Sequence, residues 1–363
     1  MEILFITRKF PPMKGGMEKV AYELYAHLSK ITEAELIKWG GSNKWLFIIL
    51  PFFLLKSSWI LLTKKVDVIY LQDGLLAPLG LILKIFRKPT AITIHGLDIT
   101  YKNKFYQFLV PRCVKRLDRI ICISAATRQE CLERGIPEKK MSVIPDGISD
   151  EFYVSGNKKV MRDRLEKKFD IHLKDKKIIL SVGRLVERKG FHWFVESVVP
   201  QLISKRKDFI YLIVGEGVFR EVIETIIRNK KLYNYVKLLG RVNNDDLRLL
   251  YNSADIFVMP NIPVEGDMEG FGIVALEAAS CGLPVVASNL EGIKDAIKDS
   301  QNGFLVSPYS TNAYIEKVSE LLEDNKKREE FGRKAQKCAN ENYNWQRICN
   351  LYLFVFKQLV IIK

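Results

Sequence analysis

Residues 269–279 read Glu-Gly-Phe-Gly-Ile-Val-Ala-Leu-Glu-Ala-Ala, and they follow a short apolar run, Ile256–Met259, and a loop. The Ile-Val-Ala-Leu stretch predicts a helix over 271–281. Gly270 and Gly272 leave its first amides open, and open amides at a helix N-terminus favour an anion. Glu269 stands just before that helix and Glu277 about two turns inside it. A carboxylate among apolar neighbours is costly unless paired, so ligand hydroxyls are natural partners for Glu277. A surface helix with two ordinary glutamates is the plainer alternative.

Around this segment the chain alternates strand and helix. Downstream comes the strand Pro284–Ala287. Upstream lie strands Ile178–Val182, Phe209–Val214 and Val236–Leu239, with a helix bearing Phe191, Phe194, Val198 and Leu202 and further helices over 218–230 and 245–252. Short apolar runs separated by helices describe a parallel sheet covered on both faces. The pattern also fills the first part of the chain, with runs at Ile3–Thr7, Val66–Leu71, Ala91–Ile94 and Arg119–Ile123. Residues 150–177, charged and poor in strand signals, read as a linker region. The predicted fold is therefore α/β, with two Rossmann-like doubly wound domains, 1–160 and 161–345. Ligands in such sheets bind outside the carboxyl ends of the strands, so the site is expected in a cleft between facing domains.

Candidate binding residues cluster at those strand ends. Ser181 to Gly190 follows a strand and opens a helix, and it holds Gly183, Arg184 and Lys189. A guanidinium fork and an ammonium suit a diphosphate; a solvated basic loop is the other reading. Lys14-Gly15-Gly16-Met17-Glu18 lies between the first strand and the first helix, where glycines let backbone amides approach a ligand. It is not GxGxxG, and a turn without a ligand explains it as well. His95 and Asp98, in Thr93-Ile94-His95-Gly96-Leu97-Asp98, follow another strand. A lone His is usually structural, and Asp98 reads equally as a helix cap.

The chain has 363 residues, 48% of them apolar, and a formal net charge of +15, of which +9 lies in the first 150 residues. This is a globular composition, and its basic surface suits nucleic acid, an anionic membrane or an anionic substrate. No nucleic-acid-binding module is recognisable, so no nucleic-acid partner is expected. The six cysteines form no CxxC pair and no zinc spacing, and they read as reduced thiols of a cytosolic protein. Residues 1–20 lack the layout of a signal peptide. Trp45 to Leu62 is very apolar, but Pro51, Lys56, Ser57 and Ser58 interrupt it. It predicts a buried helix, with a segment dipping into the membrane interface as the competing reading.

In motif content and order the whole chain resembles the retaining glycosyltransferases of family 4, whose two-domain architecture is called GT-B. The most specific match is E-x7-E, here Glu269 to Glu277, continued by Cys281-Gly282-Leu283-Pro284. Tyr343-Asn344-Trp345 and helix 346–363 look like the tail that crosses back to the N-terminal domain. The resemblance implies transfer of a sugar from a nucleotide diphosphate donor, UDP or GDP, to a hydroxyl. Arg184 and Lys189 would hold the diphosphate, with Gly183 in the same loop. Glu277 would take the ribose hydroxyls and Glu269 those of the transferred sugar. The backbone from Gly270 through Phe271, Gly272, Ile273 and Val274 would face phosphates and sugar. Gly15 and Gly16 would sit under the diphosphate, His95 would contact the donor sugar, and Arg241 would lie near the base. No metal and no separate cofactor are expected. The acceptor is expected to be lipid-linked or a glycan, with peripheral membrane contact through the N-terminal domain. A nucleotide-sugar 2-epimerase and a non-catalytic or nucleic-acid-binding basic protein are the rival readings.

Overall fold

A computed structural model describes residues 1–13, 15–154 and 156–361 of the chain, so Lys14 of the glycine loop and the last two residues of the expected 346–363 helix lie outside it. The chain divides into two compact units. The first comprises Met1–Gly147, Gly266–Phe271 and Tyr343–Lys363, and the second Ile148–Glu265 and Gly272–Asn342.

The first unit is built on six parallel strands: β1 (Glu2–Thr7), β2 (Glu33–Lys38), β3 (Val68–Leu71), β4 (Thr90–Ile94), β5 (Arg119–Cys122) and β6 (Met141–Val143). Their order is β2-β1-β3-β4-β5-β6. The sequence reasoning passed over β2. Its run Glu-Ala-Glu-Leu-Ile-Lys buries only Ile37, as suits an edge strand protected by charge. The helices named below are α1 (Gly16–Leu28), α2 (Leu46–Thr63), α3 (Ala77–Leu83), α4 (Leu97–Thr100) and α5 (Lys104–Arg116). Alternating strand residues split the core between two faces. Leu4, Ile6, Ile69, Leu71, Ile92 and Ile94 pack with Phe53 and Ile60 of α2, Leu79 and Leu83 of α3, and Val110 and Val114 of α5. On the other face Phe5 meets Tyr25 of α1, and Tyr70 meets Tyr352 and Phe356 of the helix Trp345–Ile361.

The structure corrects the expectation of a buried helix at Trp45–Leu62. α2 buries only Phe53, Ser57, Ile60 and Leu61, one face of the helix. Phe47, Leu55, Trp59 and Leu62 are each about 70% exposed, at 72, 71, 68 and 74%. The segment is apolar all round, but one layer of helix over one sheet face needs only one of its sides.

The second unit carries β7 (Lys177–Val182), β8 (Phe209–Val214), β9 (Val236–Gly240), β10 (Ile256–Met259), β11 (Val285–Ser288) and β12 (Phe304–Val306). All pair in parallel, in the order β12-β11-β10-β7-β8-β9. This is the doubly wound arrangement that reverses direction beside its first strand, here between β7 and β10. The division between the units falls at residue 147 rather than 160, because Phe152 is buried and packs edge-on against Tyr251, ring centroids 5.5 Å apart. Nor is 150–177 a bare linker. It contains the helix Lys158–Phe169, whose Lys158 and Arg162 pair with the buried Asp255 at the head of β10. Asp255 also accepts the Ile178 N–H, so the charges that read as linker fasten a helix to the sheet.

Candidate functional site

In the first unit the carboxyl ends of β1, β3 and β4 gather a polar group. The His95 ring donates from Nε2 to the Gln72 carbonyl, 2.9 Å away, which fixes the proton on that nitrogen. The His95 backbone N–H donates to Asp98 Oδ1 at 2.8 Å, and the Gly74 N–H donates to Asp98 Oδ2 at 2.9 Å. Both carboxylate oxygens of Asp98 are thus committed to tying the β3 loop to the β4 loop. Burial pushes the Asp98 carboxyl above its ordinary range, against the pull of His95 and these two N–H groups. Asp98, a candidate acceptor-binding residue from its place after β4, thus holds the His95 backbone in position.

Gly270 lies against His95, within one unit. A Cβ on Gly270 would stand 2.2 Å from the His95 carbonyl oxygen, so only glycine permits this approach. Met268 is buried beside Gly96, and Phe271 is buried near the Tyr343 ring. His95, Glu269 and Gly270 are brought together in this way, with Glu269 half-buried. Gly15 and Gly16, at the start of α1, are exposed, and nothing lies within 4 Å of a Cβ on Gly16. Glu18 crowds Gly15 and forms an ion pair with Lys9 at 3.1 Å. An anion at this helix start would meet a carboxylate already balanced by a lysine.

Sequence reasoning missed one pair here. Arg8, just after β1, donates from Nε to Asp73 Oδ1 at 2.9 Å, and both residues are buried. Asp73 also caps the turn after β3 by accepting the Leu75 N–H. The signal was present, since Arg8 directly follows one buried apolar strand and Asp73 stands two residues after another.

In the second unit Gly183 and Arg184 follow β7. Arg184 is exposed, whereas Lys189 is 6% exposed with its stem beside Gly183. Gly190 has φ +65°, and a Cβ there would stand 1.9 Å from the Pro260 carbonyl oxygen. The Ile262 N–H donates to the Arg188 carbonyl at 2.9 Å. The basic loop after β7 is thereby sewn to the loop after β10, at the point where strand order reverses.

From β10 the chain reaches Gly272, the N-cap of helix Ile273–Ser280, so the Ile273 and Val274 amides stand in its first turn. Glu277 is buried on this helix, and Tyr251 donates to its Oε2 at 3.1 Å. Tyr251 is a second residue that sequence reasoning missed. Burial, and then the Glu277 charge, push its hydroxyl well above its ordinary range, so it stays a donor. The loop Gly215–Gly217 was also missed, though Gly-Glu-Gly directly after a buried strand marks it. It is tied to its neighbours by Gly215 N–H to Gly240 O and Leu185 N–H to Glu216 O. Arg241 is exposed at the end of the edge strand β9, with β8 between it and β7. Among the described residues no hydrogen bond or ion pair draws it toward Lys189 or Glu277, and no group of three or more His, Cys, Asp or Glu is placed to hold a metal ion.

Two doubly wound units, each a six-stranded parallel sheet, make up the GT-B architecture. Residues 163–338 match the family model for glycosyl transferases group 1, and residues 31–152 match that for glycosyltransferase family 4. A glycosyltransferase of Methanocaldococcus jannaschii, MJ1607, is 31% identical over 314 residues, 83% of this chain and 78% of that protein. A GDP-mannose-dependent alpha-(1-6)-phosphatidylinositol monomannoside mannosyltransferase of Mycolicibacterium smegmatis is 24% identical over 95% of each chain. Among solved structures, sucrose-phosphate synthase of Thermosynechococcus elongatus superposes with a TM-score of 0.81 at 20% identity over 100% of both chains. Alr3699/HepE of Anabaena, in complex with UDP, superposes with a TM-score of 0.78 at 18% identity over 99% of this chain and 100% of that one. The chain belongs to glycosyltransferase family 4 and is a hexosyltransferase.

Proposed function

We propose that this chain transfers a hexosyl unit from a nucleoside diphosphate sugar, UDP- or GDP-linked, to a hydroxyl of a lipid-linked acceptor in cell-surface polysaccharide or glycolipid assembly, on the cytoplasmic side of a membrane. The observation that carries the donor reading is the buried Lys189 at the strand-order reversal of the second unit, on the sheet edge that also carries the Gly272 helix start and Glu277. A diphosphate supplies the negative charge that the lysine and the helix amides stabilise. The ribose supplies hydroxyls for Glu277. A nucleotide donor also agrees with the UDP-bound neighbour, and a lipid acceptor with the name of the mycobacterial relative.

Bond cleavage puts negative charge on the diphosphate and positive charge on the sugar. Lys189, Arg184 and the Ile273 and Val274 amides answer the first, and they make a metal unnecessary. We infer retention by attack on the leaving-group face. The departing phosphate oxygen takes the proton of the acceptor hydroxyl as the new C–O bond forms and the old one breaks. Glu269, assigned to hydroxyls of the transferred sugar, is then no nucleophile. His95 and Gly270 fix the sugar's place.

Differential scanning fluorimetry with nucleoside diphosphates and their sugars, with and without EDTA, tests the donor assignment. One base should stabilise the chain selectively, and EDTA should leave that shift unchanged. Stabilisation by no nucleotide would overturn the reading. Intact-protein mass spectrometry showing a glycosyl-Glu269 adduct would overturn the same-face mechanism.

A further inference from the structure

The outer face of α2 is the largest feature that sugar transfer leaves unexplained. Phe47, Ile48, Phe52, Leu55, Trp59 and Leu62 are exposed along it, interrupted by Pro51 and Lys56. α2, α3 and α5 all bury their inner sides in one core on one face of the first sheet. Their outer sides therefore turn away from that sheet together. α3 and the turn after it add Ile82 and Ile85, and α5 adds Phe105 and Phe108, all exposed. Large apolar side chains exposed together on three neighbouring helices mark an interaction site.

Charge selects the partner. Residues 39–117, which include all three helices, contain twelve Lys and Arg against three Asp and no Glu. Two of the three, Asp73 and Asp98, are buried. A second copy of the same face would bring like charge to like charge. An anionic bilayer brings the opposite charge, and its acyl boundary accepts apolar side chains without specific polar contacts. The flanks agree. Exposed Lys44 and Trp45 precede α2, and exposed Lys65 follows it beside Lys64, which pairs with Glu35, an arrangement that suits headgroup level. By length and composition α2 is apolar enough to cross a membrane. Its inner face, however, is core of the first unit, so it is not placed to span one.

We propose that the outer face of α2, continued by Ile82, Ile85, Phe105 and Phe108, docks the protein on an anionic lipid bilayer. This deepens the reading of a lipid-linked acceptor and rests on it only for the purpose of docking, since exposure and charge carry the docking itself. The carboxyl edge of the first sheet, with His95 and Gly270, would then open alongside the lipid surface, because α2 and α5 both begin at that edge.

The test is flotation of the full chain with vesicles of phosphatidylcholine alone or with about a third phosphatidylglycerol, without donor or acceptor. The wild type should float with the anionic vesicles and be released by salt. The double variant F52S/W59S should bind about 30-fold more weakly, since partial insertion of each aromatic contributes roughly five- to tenfold. K44E/K56E should weaken binding at low salt by about tenfold or more. Brominated lipid should quench wild-type tryptophan fluorescence but not that of W45F/W59F, a readout independent of the serine variants. A wild type that stays unbound with every vesicle, or variants that bind as wild type does, would overturn the proposal. So would a dimer in solution that F52S/W59S dissociates, because the face would then join copies of this chain. Since no sugar is transferred in the assay, failure here leaves the donor reading standing, and loss of nucleotide binding leaves docking standing.

Discussion

Glu277 has a partner that allows its structural and binding roles to be separated. Tyr251 is fully buried and donates to Glu277 Oε2 at 3.1 Å. Glu277→Ala leaves that hydroxyl only its longer contact to the Val274 carbonyl, at 3.4 Å, which costs about 1–3 kcal/mol. At about 2–4 °C per kcal/mol for domains of this size, melting should fall by roughly 3–10 °C. Glu277→Gln keeps an acceptor oxygen for Tyr251, so its melting temperature should stay within about 2 °C of wild type. Binding should separate the variants differently. Exchanging a charge-assisted bond to the ribose for a neutral one loses about 1–1.5 kcal/mol, so Glu277→Gln should weaken the nucleoside diphosphate about tenfold by calorimetry. Losing the group altogether should cost Glu277→Ala about a hundredfold. The deciding ligand is the 2′,3′-dideoxy nucleoside diphosphate, which has no hydroxyls to offer. It should bind weakly to the wild type and be indifferent to Glu277→Gln. Equal affinity of wild type and Glu277→Gln for the natural nucleotide would refute the ribose assignment, as would an equal penalty with the dideoxy ligand.

Gly270→Ala should place a methyl 2.2 Å from the His95 carbonyl oxygen and force the two loops apart. A displacement of about 1 Å near a reacting centre costs on the order of a hundredfold, so kcat should fall by that factor while the melting temperature changes by only a few degrees. Asp98→Ala removes the acceptor of two buried backbone N–H groups and should lower unfolding stability by about 2–5 kcal/mol in urea titrations, with Asp98→Asn intermediate. Asp255 gives a pH dependence. Burial alone would raise its carboxyl, but Lys158 and Arg162, with the Ile178 N–H, hold it below the usual range. A depressed folded-state value means its contribution is complete above the unfolded value of about 3.9 and is lost as pH falls through the lower folded one. Asp255→Asn should therefore destabilise the protein near pH 7 and flatten its acid melting profile below about pH 4.

Most of the fold was legible because the strands declare themselves. β3, β8 and β10 are continuous apolar runs, as strands covered on both faces must be. β2 escaped because this edge strand, half open to water, carries three charges in six residues, Glu33, Glu35 and Lys38. The Lys158–Phe169 helix escaped because its basic residues read as solvated linker, whereas two of them meet a buried aspartate some ninety residues away. Such pairings belong to tertiary structure and leave no local trace. At the candidate site, positions fixed by strand ends were readable: Gly183 directly follows β7 and His95 directly follows β4. Partners were not. Tyr251 sits on a different helix from Glu277, and the Gly74 N–H that Asp98 accepts comes from a loop some twenty residues upstream. α2 was misjudged because hydropathy reports what a side chain prefers and not how much sheet there is to cover it.

The helix Trp345–Ile361 has a consequence for synthesis. It covers Tyr70 in the first unit, and its Trp345 lies over Gly147, stacked on His27. The rest of that unit's sheet has left the ribosome by residue 147, whereas these aromatic covers emerge roughly two hundred residues later. At about 5–20 residues per second, one face of the nascent sheet waits roughly 10–40 s for its last layer. The second unit emerges in that interval. The protein thus completes its beginning last, and chaperone demand should concentrate on chains stalled before residue 345.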